Sequence, residues 1–318
     1  MNWKFGSFAM AALACAVTPV VHADTVAPAF SADYTLTNIG TPTGVPGLLG
    51  GIVFLNPNEL LVGGNANNGS GSIYEIGVTR DGAGNITGYS GTATLYSTAP
   101  FIDGGLVFAP NGDLLYTGYP NNTIGEIKPG STSPDKIVDL NSNGSGVASS
   151  VGSIQFAPNG QFKILSYNGG GFYTAPLTPD GSGTYDIGAA TLESTPGGGP
   201  EGAFYVPPGS PDFSNPSLLL ALYSAGKVEA YSVDANGNPI LSTAQDFITG
   251  LGGAEGATID PVTGDFLFST FGSGNHIDVV SGFASPVPEP AYLPLSGALF
   301  GLMAIAAIAR RKAPGTKA

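Results

Sequence analysis

The chain has 318 residues, 49 of them glycine and 26 proline, with 42% hydrophobic and only 10% charged side chains. Between positions 24 and 285 five basic residues face 22 acidic ones, a balance of −17 that excludes nucleic acid as a partner, since its phosphates would be repelled. The single cysteine, Cys15, lies close to the start. The remainder therefore has no disulfide, no thiol chemistry and no Cys-ligated zinc, and must be held by a buried core.

Residues 1–23 read as a secretory signal peptide. Lys4 gives a positive start, Phe5 to Val21 is small and apolar, and Val21-His22-Ala23 puts small residues at −3 and −1 of a cleavage site. Pro19 breaks the stretch, which argues against a membrane anchor. Leu13-Ala14-Cys15 is a weak version of a lipoprotein box, with Ala12 where leucine is usual.

A strand is predicted at Tyr34–Ile39, and a repeat follows. Pro57, Pro110, Pro158, Pro208 and Pro261 each punctuate a similar hairpin, spaced 53, 48, 50 and 53 residues apart. GLVFAPNGDLLYTG (105–118) and SIQFAPNGQFKILSY (153–167) show the pattern most clearly. Each unit divides into about four short strands with turn chemistry between them; in the second unit these include Leu106–Ala109, Leu114–Thr117, Thr123–Lys128 and Lys136–Leu140. A period near 50 with four antiparallel strands per unit predicts an all-β fold, a β-propeller over residues 24–285. The fifth unit ends after three strands, at about His276–Phe283. The strand at Tyr34–Ile39 is expected to supply the missing outer strand, which gives five four-stranded blades closed by an N-terminal strand. Six blades and a pair of β-sandwiches are the alternatives.

Three carboxylates occupy matching places just before the first strands of their units and each precedes a glycine: Asp103, Glu201 and Glu255. The corresponding places in units one and three are about Gly50 and Val151. If first strands line the axis, the three acids converge at one rim, where they suit Ca²⁺ or another divalent cation, which takes oxygen ligands in irregular geometry. Loop capping is the plainer reading. The tips Asp81–Asn85 and Asp234–Asn238 are read as turns or, less well, as calcium loops. His276 is expected to be an ordinary loop histidine. No Gly-x-Ser-x-Gly elbow, P-loop or dinucleotide fingerprint is present, so the domain is expected to be non-catalytic and without a cofactor. A metal-dependent hydrolase using the three carboxylates is the alternative.

The end of the chain has three parts: Val287-Pro288-Glu289-Pro290 within 286–291, an uncharged apolar stretch at 292–309, and Arg310-Arg311-Lys312 within a basic tail, 310–318. Eighteen residues rise about 27 Å as a helix, enough to span a bilayer, and the basic cluster predicts a cytoplasmic end. This order resembles the PEP-CTERM sorting signal of Gram-negative bacteria. The resemblance implies recognition by an exosortase-type membrane peptidase, with Pro288, Glu289, Pro290, Arg310 and Arg311 as the sorting residues. It further implies export across the inner membrane, a membrane-anchored periplasmic or cell-surface protein, and exopolysaccharide or envelope protein of a biofilm matrix as neighbours. The FAPNGDLL-type hairpin resembles those of YVTN, NHL and SMP-30/gluconolactonase-like propellers. That likeness implies a scaffold rather than an activity. In SMP-30-like propellers a central acidic residue holds a divalent metal, and by resemblance Glu201 and Glu255 match it.

Overall fold

Each of the five repeats folds into one antiparallel sheet, and their first strands contact one another around a common axis. The computed structural model describes residues 24–272 and 274–285. The expected leader, the expected sorting motif, the apolar stretch and the basic tail lie outside these residues. No helix among the described residues is long and apolar enough to cross a membrane.

Two strands, β1 (Thr25–Val26) and β2 (Thr35–Asn38), precede the first repeat. Blade one is β3 (Ile52–Asn56), β4 (Glu59–Gly64), β5 (Ser72–Arg80) and β6 (Ile86–Thr98). Blade two is β7 (Ile102–Phe108), β8 (Leu114–Gly118), β9 (Thr123–Ile127) and β10 (Lys136–Asp139). Blade three holds β11 (Val151–Phe156), β12 (Phe162–Ser166) and β13 (Phe172–Ala175); a separate hairpin, β14 (Leu177–Pro179) with β15 (Tyr185–Ile187), intervenes before the outer strand β16 (Thr191–Ser194). Blade four is β17 (Pro200–Tyr205), β18 (Ser217–Leu222), β19 (Lys227–Ser232) and β20 (Gln245–Thr249). Blade five is β21 (Ala254–Ile259), β22 (Phe266–Thr270) and β23 (Ile277–Ser281), completed on its outer edge by β2.

The ring is thus closed by residues from its two ends. Thr35 to Asn38 pair antiparallel with Ser281 to Asp278. β1 adds a fifth strand to blade four, Thr25 opposite Thr249 and Val26 opposite Ile248, and covers an edge that would otherwise be open. Between β1 and β2, Phe30 and Tyr34 pack against Phe213, Phe247 and Phe283 with ring centroids 4.6 to 6.0 Å apart. This aromatic cluster fastens the chain's start beneath blades four and five.

The repeated hairpin owes its shape to its own turn residues. In blade two the Ala109 N–H donates to the Asp113 carbonyl (2.8 Å), the Gly112 N–H to the Ala109 carbonyl (2.9 Å), and Gly112 takes a φ of +90°. In blade three Ala157, Gln161 and Gly160 reproduce the arrangement at 2.9 and 2.8 Å with a φ of +82°. Glycine is required at that left-handed position. The turns also receive the neighbouring blade. The Asn111 side-chain amide donates to the Gly183 carbonyl (3.1 Å), and the Asn159 amide to the Ala235 carbonyl (3.5 Å).

The second strand of a blade is sandwiched between its neighbours. All residues of β8, β12, β18 and β22 are buried, so both faces carry apolar side chains. First strands are buried where they meet the axis and half-buried where they leave it. Truncating Phe266 or Phe268, each essentially buried, would cost about 3–5 kcal/mol.

At the axis the first strands carry Gly51, Gly104, Gly152, Gly202 and Gly256. A Cβ on Gly104 would lie 2.2 Å from the Glu201 carbonyl oxygen, on Gly152 2.3 Å from that of Pro200, and on Gly202 2.4 Å from that of Glu255. A Cβ on Gly256 would lie 2.6 Å from Gly51 Cα. Backbones from different blades therefore touch, and only glycine permits so close an approach.

Candidate metal centre

The residue before each axial glycine stands at the same level of its blade, in the order Gly50, Asp103, Val151, Glu201, Glu255. Three of the five are acids, and the structure brings them together. One carboxylate oxygen from each of Asp103, Glu201 and Glu255 lies within 4.8 Å of the other two. They are 2%, 4% and 1% exposed. The glycine layer seals one side of the cluster, and a Cβ on Gly152 would fall 2.5 Å from Glu201 Oε2.

Asn67, in the β4–β5 loop of blade one, stands beside the cluster. Its backbone is left-handed, φ +63°, and its N–H donates to the Ile102 carbonyl (2.9 Å). Four buried oxygens have no hydrogen-bond partner: Asp103 Oδ2, Glu201 Oε2, Glu255 Oε1 and Asn67 Oδ1. Each unpaired buried acceptor costs about 1–3 kcal/mol.

The electrostatics follow from the burial. Desolvation pushes the Asp103 carboxyl up, while Glu255, Glu201 and Asn67 beside it pull it down. Glu201 is pushed well above the usual carboxylate range by burial, then by the charges of Asp103 and Glu255. Glu255 is raised by burial and then by Asp103. Three acids at one point hold protons or hold a cation. An all-oxygen donor set with no nitrogen or sulfur suits a hard cation of the calcium class. The orphaned carboxylate oxygens fit such an ion, and Asp103, Glu201 and Glu255 would hold it.

Aromatic side chains on the loops between second and third strands surround the mouth. Tyr223 stands between Tyr167, at 6.0 Å and 71°, and Phe271, at 6.1 Å and 63°. The Ser224 hydroxyl donates to Tyr167 Oη at 2.9 Å. The Tyr223 phenol is pushed up by burial first, then by Glu255, Tyr167, Glu201 and Asp103, so it lies within the field of all three acids. A separate cavity of about 460 Å³ lies on the outer part of blade three, against Phe156, Gln161, Thr174 and Glu193, away from these acids.

The two hairpin tips are turns. Asp81 Oδ1 accepts from the Ala83 and Asn85 N–H groups, both at 2.9 Å, and Asp234 Oδ1 from those of Asn236 and Asn238 at 2.8 and 2.9 Å. Their carboxylates are thus engaged by their own loops. His276 is not a free loop histidine. It is half-buried, with Nε2 3.2 Å from Asp24 Oδ2 and 3.0 Å from Asp278 Oδ2. The sequence reading missed Asn67, Asp24 and Asp278. A signal for Asn67 lay in the Asn65-Ala66-Asn67-Asn68 run, since asparagine tolerates left-handed backbone.

No family model and no curated protein matches the sequence. Solved structures do. The calcium structure of a Trichoderma reesei carbohydrate-active enzyme of family AA12 is 11% identical, covers 84% of this chain and 98% of its own, and gives a TM-score of 0.48. The PQQ domain of pyranose dehydrogenase from Coprinopsis cinerea is 10% identical, with 83% and 98% covered and a TM-score of 0.45. Virginiamycin B lyase from Staphylococcus aureus is 14% identical, with 78% and 99% covered and a TM-score of 0.42. At these identities the likeness is one of scaffold. All three are structures of enzymes, and the expectation of a non-catalytic domain is withdrawn.

Proposed function

We propose that the chain is an exported propeller enzyme centred on a divalent cation, Ca²⁺ by its donor set, at the axial face of the ring. The observation that carries this reading is the convergence of three buried carboxylates, Asp103, Glu201 and Glu255, each with an oxygen left unpartnered. When bound, the cation would act as a Lewis acid that polarises a carbonyl oxygen, which suits hydrolysis of an ester or lactone. Around it, Tyr167, Tyr223 and Phe271 limit water at the mouth. The raised Tyr223 phenol keeps its proton at neutral pH, so it can donate a hydrogen bond but not serve as a base. The test is calcium titration of the full-length protein by calorimetry, with base uptake measured on a panel of esters and lactones. One calcium per chain, with turnover lost on chelation and in Glu201→Gln, supports the proposal. Absence of calcium binding at pH 8 sinks it.

The export half of the proposal rests on the leader 1–23 and on the tail that resembles a PEP-CTERM signal. An exosortase-type peptidase is the proposed processing partner, and the envelope or its exopolysaccharide the destination. Mass determination of the protein from cells tests this. A chain starting at Asp24 and ending near Pro290 is expected, and an intact Arg310–Lys312 contradicts processing.

A further inference from the structure

A second cluster of ligand-type side chains lies away from the axis, where the start of the domain meets blade five. Asp24 immediately precedes β1, His276 ends the β22–β23 loop, and Asp278 stands on β23. One ligand atom from each lies within 4.8 Å of the others. The loop is held by Asn275, whose Oδ1 accepts from the Leu48 and Leu49 N–H groups at 2.8 and 3.3 Å.

With both carboxylates ionised, the hydrogen bonds of the cluster do not serve all of its acceptors. Nδ1 of His276 lies 3.3 Å from Thr270 Oγ1. The Thr270 hydroxyl hydrogen is directed at the His276 carbonyl oxygen, 3.3 Å away. Its oxygen accepts from the His276 backbone N–H at 3.1 Å and has room to accept from Nδ1–H as well; a neutral ring with its proton there leaves a lone pair on Nε2. That lone pair faces two carboxylate oxygens, Asp24 Oδ2 at 3.2 Å and Asp278 Oδ2 at 3.0 Å. Even a protonated ring has one Nε2 hydrogen for two acceptors. The second oxygen of Asp278 is also without a partner, although its side chain is wholly buried. No lysine or arginine is paired with any of the three carboxylate oxygens in the described residues.

We infer that Asp24, His276 and Asp278 form a second metal site, for a borderline divalent cation such as Zn²⁺. One imidazole and two carboxylates make a donor set that Zn²⁺ accepts, whereas the all-oxygen axial cluster suits a harder ion. The spacing agrees: two ligands about 2.0 Å from a tetrahedral ion lie about 3.3 Å apart. Thr270 holds the far side of the ring in the tautomer that a ligating histidine needs. Asp24 and His276 side chains are 17% and 16% exposed, so an ion can reach the site. The bound ion would clip the segment leading into β1 onto blade five, two parts of the domain that are 252 residues apart.

The test uses the full-length chain carrying His22→Gln, which leaves His276 as its one imidazole, since His22 and His276 are the two histidines of the sequence. Zinc is added to one equivalent and its X-ray absorption fine structure is recorded. Outer-shell scattering from one imidazole is the expected result, and it identifies His276 without altering the site. Zinc affinity should fall at least about tenfold in Asp278→Asn and His276→Gln, and should persist in Glu201→Gln. A zinc shell without imidazole, or His276→Gln binding as tightly as its parent, overturns the inference.

Discussion

Arg80 of blade one grips Asp260 of blade five with both terminal guanidinium nitrogens, Nη1 to Oδ2 at 2.5 Å and Nη2 to Oδ1 at 2.8 Å. The same guanidinium donates to the carbonyls of Gly84 (2.7 Å) and Pro57 (2.6 Å). Asp260 is wholly buried and also accepts from the Val262 N–H (3.0 Å) and the Thr263 hydroxyl (2.7 Å). The pair fastens the junction at which the ring closes.

Removing one partner should therefore cost more than removing both. Asp260→Ala and Arg80→Ala should each lose about 3–5 kcal/mol, because each leaves groups buried without partners. Asp260→Ala should be the worse, since it also strips the β21–β22 turn. The double replacement Arg80→Met, Asp260→Leu should lose less than either single replacement. Urea denaturation of the four proteins measures this.

At the axis, Gly104→Ala should fail to fold or lose more than about 3 kcal/mol, because the added carbon meets backbone, which cannot swing aside. Gly82, with nothing within 4 Å of the position of its Cβ, provides the contrast. Gly82→Ala should change stability by no more than about 0.5 kcal/mol.

Stability should depend on pH through Glu126. This side chain is wholly buried, with Oε2 accepting from the Tyr185 N–H at 2.9 Å and Oε1 unpartnered. Burial pushes its carboxyl from 4.5 up to about 7, against the pull of the Tyr185 hydrogen bond and of Lys136. The folded state thus holds a proton that the unfolded chain has released. The associated stability is complete below about 4.5 and is lost as pH rises through about 7. Glu126→Gln should raise the melting temperature by about 2–6 °C at pH 8 and leave it nearly unchanged at pH 4. A thermal melt series across that range decides the matter.

Chelation should destabilise the protein through the axial cluster. Calcium at a hundred times its dissociation constant contributes about 2.7 kcal/mol, so EGTA should lower the melting temperature by about 5–10 °C at neutral pH. Glu201→Gln should melt at one temperature with or without EGTA. Differential scanning calorimetry with and without calcium provides the comparison.

The blade count was legible in the sequence because its evidence is local. Pro-Asn-Gly turns build themselves from adjacent residues, and their period reports the repeat directly. Asp103, Glu201 and Glu255 were legible for the same reason, since each holds one place in a repeated unit. Asn67 was not, because it comes from a different loop and reaches Asp103 only once blades one and two are side by side. Asp24 and Asp278 were hidden more deeply, as ring closure alone makes them neighbours. β1 has two residues, too few for any periodicity, and it exists because the edge of β20 needs a partner. The glycines following the acids were visible as a pattern. Their cause, contact between backbones of different blades, belongs to the assembled ring.

The direction of β23 has a topographic consequence. It starts at Ile277, on the side of the ring where Asp103, Glu201 and Glu255 lie, and runs to Ser281 on the far side, where Phe283 joins the cluster of Phe30 and Tyr34. Whatever follows Ser285 sets out from that far side. A tether leaving there would work like the stem of a cup. It would hold the acid-lined mouth away from its attachment and towards whatever diffuses past.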